Sequence, residues 1–188
     1  VSWFKPHLDP SLSIISKLGL NAGDQIIDVG AGASTLVDDL LERKLGKVTV
    51  LDISGKALDI SRKRLGARAD EVTWLAADIT RVDLPKNHYD LWHDRAVFHF
   101  LTSPTDRAKY IEALRSSLKA GGDLIIATFG LNGPPKCSGL DIVRYSAQTL
   151  SDELGGAFEL VESFDESHKT PSAATQNFVY GWFKKSAP

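Results

Sequence analysis

The feature that most constrains this chain is an alternation of short apolar runs with longer amphipathic ones. Residues 25–30 (QIIDVG), 47–52 (KVTVLD), 72–76 (VTWLA), 89–93 (YDLWH) and 123–129 (DLIIATF) are short and rich in β-branched or aromatic side chains, so they read as strands. The segments around them carry apolar residues at helical spacing. Leu12, Ile15 and Leu18 share one side of 11–20, Leu36, Leu40 and Leu41 one side of 34–44, and Tyr110, Leu114 and Leu118 one side of 105–119. Ser54 reads as the N-cap of a helix over 55–65, and a further helix is expected over 146–154. Gly46, Gly121-Gly122 and Gly155-Gly156 stand where helices should stop. Strands that alternate with helices are joined by right-handed crossovers and form a buried parallel sheet. Two apolar runs then follow one another, 158–164 and 178–183, separated by the polar residues 165–176, which predicts an antiparallel edge. The expected fold class is α/β with a mixed sheet, in one unit over 1–188.

Composition narrows the function classes. The chain has 188 residues with 22 Lys plus Arg against 24 Asp plus Glu, a formal charge of -2, so the broad basic face of a dedicated nucleic-acid binder is absent. The basic run Arg62-Lys63-Arg64 lies in the last turn of a predicted helix, where cations suit the helix dipole. The single cysteine, Cys137, excludes an intrachain disulfide and a multi-cysteine zinc site, and points to a reducing, cytoplasmic setting. It is expected to be a free loop thiol. No apolar run approaches the roughly 20 residues that span a bilayer, so no membrane partner is expected. The sequence contains no Met, which suggests that residues upstream of Val1 are missing.

In an open α/β sheet, ligands bind beyond the carboxyl ends of the strands. The first strand delivers Asp28-Val29-Gly30-Ala31-Gly32-Ala33-Ser34 there. Its glycines permit a tight turn, and a carboxylate beside exposed backbone amides suits a zwitterion. The second strand delivers Asp52, a partner for ribose hydroxyls. The third leads to Asp78 and Ile79, a carboxylate and an apolar face that suit an adenine amine and ring. The fourth delivers His93, Asp94 and Arg95, followed by Phe98 and His99. A dinucleotide fingerprint needs Gly at the sixth position of G-x-G-x-x-G, and Thr35 stands there, which argues against an NAD(P)-dependent oxidoreductase. His93, Asp94 and His99 lack metal-ligand spacing, so no metal is expected. His93 reads as a hydrogen-bonded core histidine.

Taken in order, IIDVGAGASTLVDDL, VTVLDIS, WLAADIT, YDLWHDRAVFHFL and LKAGGDLIIATF resemble the successive motifs of class I S-adenosylmethionine-dependent methyltransferases. The resemblance implies a Rossmann-like three-layer sandwich, its seven-stranded mixed sheet ending in an antiparallel strand. It implies an N-terminal helix or lid over 1–20, a cofactor core over 25–129, and an acceptor loop with terminal strands over 130–188. It places the methionine moiety of S-adenosylmethionine, or of the product S-adenosylhomocysteine, around Asp28, Gly30, Ala31 and Gly32, with Asp52 at the ribose. Ile53 and Ile79 would flank the adenine and Asp78 would meet its amine. Asp94 occupies the position that faces the methyl group and acceptor in that family, so it is expected at the site, with His99 as a second candidate base. Trp3, Phe4, Arg95, Phe98 and Arg144 are expected on the acceptor side, although Trp3 and Phe4 serve equally well as packing for the first helix. Methyl transfer to a small molecule through N, O or S is the leading expectation. A protein-lysine acceptor and a non-catalytic cofactor-binding subunit are the alternatives.

Overall fold

The computed structural model describes residues 7–95, 97–169 and 175–187. The strands are β1 (Gln25–Val29), β2 (Lys47–Asp52), β3 (Thr73–Ala76), β4 (Tyr89–Arg95), β5 (Leu118–Phe129), β6 (Lys136–Cys137), β7 (Leu140–Asp141), β8 (Phe158–Lys169) and β9 (Thr175–Lys185). Among the described residues, seven of them form one sheet in the order β3-β2-β1-β4-β5-β9-β8, and β6 and β7 pair as a small separate hairpin. The first five run parallel. The last strand, β9, enters antiparallel between β5 and β8. This is the mixed sheet that the alternation and the resemblance predict.

The helices are α1 (Asp9–Ile15), α2 (Leu36–Glu42), α3 (Gly55–Leu65), α4 (Pro104–Ser117) and α5 (Ala147–Leu154). Local chemistry sets their ends. The Ser54 hydroxyl accepts from Ala57 N–H, and Ser146 and Thr149 form a reciprocal capping box. Strand alternation divides the core into two layers. Ile26, Leu91 and Ile125 face α1, α2 and α3, whereas Ile27, Trp92, Leu124 and Ile126 face α4 and α5.

Two boundaries differ from expectation. Helix α4 stops at Ser117, and the next strand already includes Gly121-Gly122. Its pairing with β4 jumps from Tyr89–Leu118 to Leu91–Asp123, an irregularity accommodated by Gly121 at φ 71°. Strands β8 and β9 also extend into the polar segment 165–176, where they pair as the hairpin-like excursion expected of it. An edge strand needs only one covered face: Phe164 and Glu166 are half-buried while Asp165 and Ser167 are exposed. Polar residues there report the outer face of the edge strand in that hairpin.

The turn after β4 is built on a buried acid. Asp94 is fully buried and accepts from Val97 N–H at 2.8 Å, Phe98 N–H at 3.2 Å and the Tyr110 hydroxyl at 2.6 Å. Tyr110 in turn accepts from Trp92 Nε1–H at 2.9 Å. Burial lifts the Asp94 carboxyl to about 6 against the pull of these donors. His99 is also fully buried, with its ring against Phe100 and Phe129, and neither ring nitrogen has a partner among the described residues. Burial holds its pKa down at about 3, so it is neutral at pH 7.

Replacing Tyr110 with Phe removes a donor to Asp94 and the acceptor for Trp92. The expected loss is about 2–3 kcal/mol, read as a lowered urea midpoint with unchanged slope; an unchanged midpoint refutes the clamp. For His99 the folded pKa lies below the unfolded one, so stability falls as pH drops from about 6.5 toward 3. Asp94, with its folded pKa raised, works in the opposite direction between about 6 and 3.8. A His99→Leu variant should therefore gain about 2 kcal/mol on the parent between pH 7 and pH 5. Denaturant unfolding at both values checks this, and a pH-independent gap would contradict it.

Candidate functional site

The ends of β1 and β2 and the turn after β4 meet around a cavity of about 490 Å³. Asp28, only 2% exposed, stands at its wall near the end of β1. Its Oδ1 lies 2.7 Å from His93 Nδ1, while its Oδ2 has no partner among the described residues. A buried carboxylate oxygen without a hydrogen-bond partner, on a residue that lines a cavity, suits a cationic ligand group.

The next turn is compressed. Gly30 has φ 67° and Gly32 φ 53°, both left-handed. A Cβ on Gly30 would fall 1.7 Å from Val97 Cγ2, so the turn after β1 and the turn after β4 touch through this glycine. The backbone amides point away from the zwitterion role expected of them. Gly30 N–H and Ala31 N–H donate to Leu51 O at 2.7 and 3.3 Å, tying β1 to β2. The turn thus contributes shape and close approach, with Gly30, Ala31 and Gly32 all lining the cavity.

Asp52 ends β2 on the same cavity. It accepts from Ser54 N–H at 2.7 Å and also from the Gly32 backbone. Burial raises its pKa more than these bonds lower it. Ile53 is 75% exposed on the rim. It also borders a second, mostly apolar cavity of about 440 Å³, shared with Ala77, Asp78, Ile79, Val97 and Leu140. Asp78 Oδ1 accepts from Thr80 N–H at 2.9 Å and its hydroxyl at 2.7 Å, bonds that hold its carboxyl below the usual range. Both cavities include Gly30, Asp52, Ile53 and Phe100, so they form one elongated cleft over the strand ends. An ammonium at Asp28, a ribose at Asp52 and a flat base between Ile53 and Ile79 match this donor set, so the residues fit S-adenosylmethionine.

The other side of the first cavity is aromatic. Phe129 and Phe178 stack with centroids 4.5 Å apart, an arrangement produced by their direct pairing across β5 and β9. The Arg95 guanidinium lies 5.3 Å from the Phe178 centroid, and Arg95 Nε–H donates to the Tyr180 hydroxyl at 3.2 Å. Leu8, Cys137 and Gln176 complete this side. Burial raises the Cys137 thiol pKa.

The structure corrects several expectations. Asp94 and His99 do not line the cavity: the first has both oxygens engaged in the turn beneath it, and the second is enclosed by aromatic rings. Phe98 is fully buried against Tyr110 and Tyr145. Arg144 is exposed and braces its own loop by donating to Leu131 O and Gly133 O. Trp3 and Phe4 lie outside the described residues. Conversely, Phe100, Phe129, Phe178 and Gln176 escaped the sequence reading. Phe129 ends a strand and was open to the same strand-end rule; Phe178 needs the register of an antiparallel pair, which no local signal carries. Among the described residues no group of His, Cys, Asp and Glu could hold a metal, and no helix is long and apolar enough to cross a membrane.

Comparison with known proteins agrees with this geometry. Residues 26–122 match the family model described as a methyltransferase domain. The ubiquinone/menaquinone biosynthesis C-methyltransferase UbiE of Hahella chejuensis is 26% identical over 145 residues, 74% of this chain and 57% of that protein. UbiE of Azotobacter vinelandii is 29% identical over 115 residues, 59% of this chain and 44% of that protein. The chain thus spans about half the length of these curated relatives. Among solved structures, a SAM-dependent methyltransferase of Methanosarcina mazei superposes with TM-score 0.75 at 16% identity, covering 93% of this chain and 98% of the other. The 1,6-didemethyltoxoflavin-N1-methyltransferase of Burkholderia thailandensis, solved with S-adenosylhomocysteine, gives 0.75 at 19% identity, covering 96% and 78%. With its methyltransferase-domain match over more than half of the chain and the seven-stranded order of that fold, this chain belongs to the class I S-adenosylmethionine-dependent methyltransferase family.

Proposed function

We propose that this chain transfers a methyl group from S-adenosylmethionine to a neutral or anionic small molecule. One observation carries the reading: a single cavity has Asp28 and Asp52 at one end and Phe129, Phe178 and Arg95 at the other. The sulfonium cofactor supplies an activated methyl group when bound. Asp28 Oδ2 holds its ammonium, Asp52 its ribose hydroxyls, and Ile53, Ile79 and Asp78 its adenine. The stacked phenylalanines and Leu8 exclude water and give a flat acceptor a surface to lie on. The protein's contribution is to hold acceptor and methyl group close and in line.

The acceptor side also bears on its charge. Among the described residues that line the cavity there, Arg95 is the charged group, and no carboxylate stands ready for an incoming lysine ammonium. A protein-lysine acceptor is therefore disfavoured. Asp94 and His99 are enclosed, and the His93 nitrogens are engaged by Asp28 and Ser11, so these groups offer no ready base. An acceptor already ionised near neutral pH, such as a thiol or an acidic phenol, suits this side. The C-methyltransferase activity named for the UbiE relatives adds a carbon acceptor to the N, O and S nucleophiles.

Calorimetry with S-adenosylhomocysteine tests the cofactor half. Asp28→Asn and Asp52→Ala should each weaken binding about 10-fold or more, the scale of a lost charge-assisted hydrogen bond. Unchanged affinity in both would overturn the assignment. Transfer of labelled methyl to a panel of aromatic thiols, phenols, amines and quinols, beside a cell lysate, tests the acceptor half. Label in the small-molecule fraction is expected; label in a protein band favours the lysine reading, and cofactor binding without transfer favours a non-catalytic module.

A further inference from the structure

Behind the cavity wall, buried side chains that the methyl-transfer reading leaves unused join its two ends. Ser11 on α1, His93 on β4 and Asp28 on β1 are 0%, 1% and 2% exposed. Ser11 Oγ lies 2.8 Å from His93 Nε2, and His93 Nδ1 lies 2.7 Å from Asp28 Oδ1. The fully buried Tyr180 hydroxyl interacts with Ser11 and accepts the Arg95 Nε–H at 3.2 Å. Asp28 and Arg95, the ends of this series, both line the cavity, whereas Ser11 and Tyr180 do not.

A neutral His93 with its proton on Nδ1 satisfies both of its contacts, donating to Asp28 and accepting from Ser11. Tyr180 O–H then points to Ser11, and Arg95 N–H to Tyr180. The hydrogen bonds from Arg95 to Tyr180 and from Ser11 through His93 to Asp28 run the same way, toward the carboxylate, and such bonds polarise one another in a low-dielectric interior. We propose that Arg95, Tyr180, Ser11, His93 and Asp28 form a relay coupling the acceptor end of the cavity to the cofactor end, with His93 as the positioning residue for Asp28. This rests on the reading that Asp28 holds the cofactor ammonium. A cation arriving at Asp28 Oδ2 changes how strongly Oδ1 accepts from His93, and the change passes through Ser11 and Tyr180 to Arg95. Ser11 also anchors α1, just beyond Leu8, so the same series ties that cavity wall to the carboxylate.

The test uses the full chain and S-adenosylhomocysteine. His93→Phe should weaken binding 10-fold or more, while His93→Asn, whose amide N–H sits near the Nδ1 position, should recover it to within about threefold. Ser11→Ala and Tyr180→Phe delete one hydroxyl each, away from the cavity, and should weaken binding three- to tenfold while keeping the parent's circular dichroism. The double variant should bind no more weakly than Ser11→Ala alone, because both changes interrupt one path. In nitrogen-15 spectra, the His93 ring resonances should shift when the ligand is added to the parent, and less in Tyr180→Phe. If the parent binds but Ser11→Ala and Tyr180→Phe bind equally well with unmoved His93 resonances, these side chains merely satisfy one another and the relay is overturned. If the parent itself fails to bind, the cofactor reading falls and the relay with it. These two failures are distinct, and His93→Phe is not needed to tell them apart should it not fold.

Discussion

A carboxylate at the buried end of a central strand cannot be left unpaired, and much of this site follows from how Asp28 is accommodated. β1 lies between β2 and β4, so Asp28 has strands on both sides and helix α1 above. Water cannot solvate both oxygens there. One is fixed by His93 from the neighbouring strand, in direct register with it. The other has no partner among the described residues, on a residue that lines the cavity. Desolvation makes that open oxygen a strong site for a cation, and the His93 bond sets its direction before any ligand arrives.

A second buried acid does a different job one strand away. Asp94 directs both oxygens into its own turn and Tyr110, which fixes the path of Val97 and Phe98. Val97 then presses on Gly30, and the two turns define the shape of the cofactor end. Asp28 is therefore an acid at the cavity wall and Asp94 an acid supporting that wall. Their neighbours decide this: among the described residues Asp28 has one partner and one oxygen without any, and Asp94 has three donors shared over both oxygens.

The aromatic side of the cavity comes from a different part of the fold. The last strand brings Phe178 against Phe129 and Tyr180 toward Arg95. These contacts exist because β9 inserts antiparallel beside β5. Without that insertion β5 would be an edge, and the wall facing the cofactor end would lack its stacked rings.

Strand and helix periodicity made the layers legible in the sequence, and the strand-end rule located Asp28, Asp52 and Arg95 at the cleft, to which the family resemblance added Ile53. Both depend on residues close together in the chain: alternation decides which face a side chain takes, and glycines mark where the chain must turn. The family resemblance put Asp94 beside the acceptor, and the structure turns both of its oxygens into the turn after β4 and Tyr110, because whether an acid faces a cavity or the backbone beyond it depends on the turn it caps. His99 failed for a similar reason, since the ring of Phe129, distant in sequence, closes over it together with that of the adjacent Phe100. By itself, then, the sequence determined the alternating α/β layers, the strand ends that form the cleft and the acids available there. Only tertiary structure decided which acid keeps an open oxygen, which aromatic rings meet and how Ser11, His93 and Tyr180 connect, because each of those outcomes depends on register and packing between residues far apart in the chain.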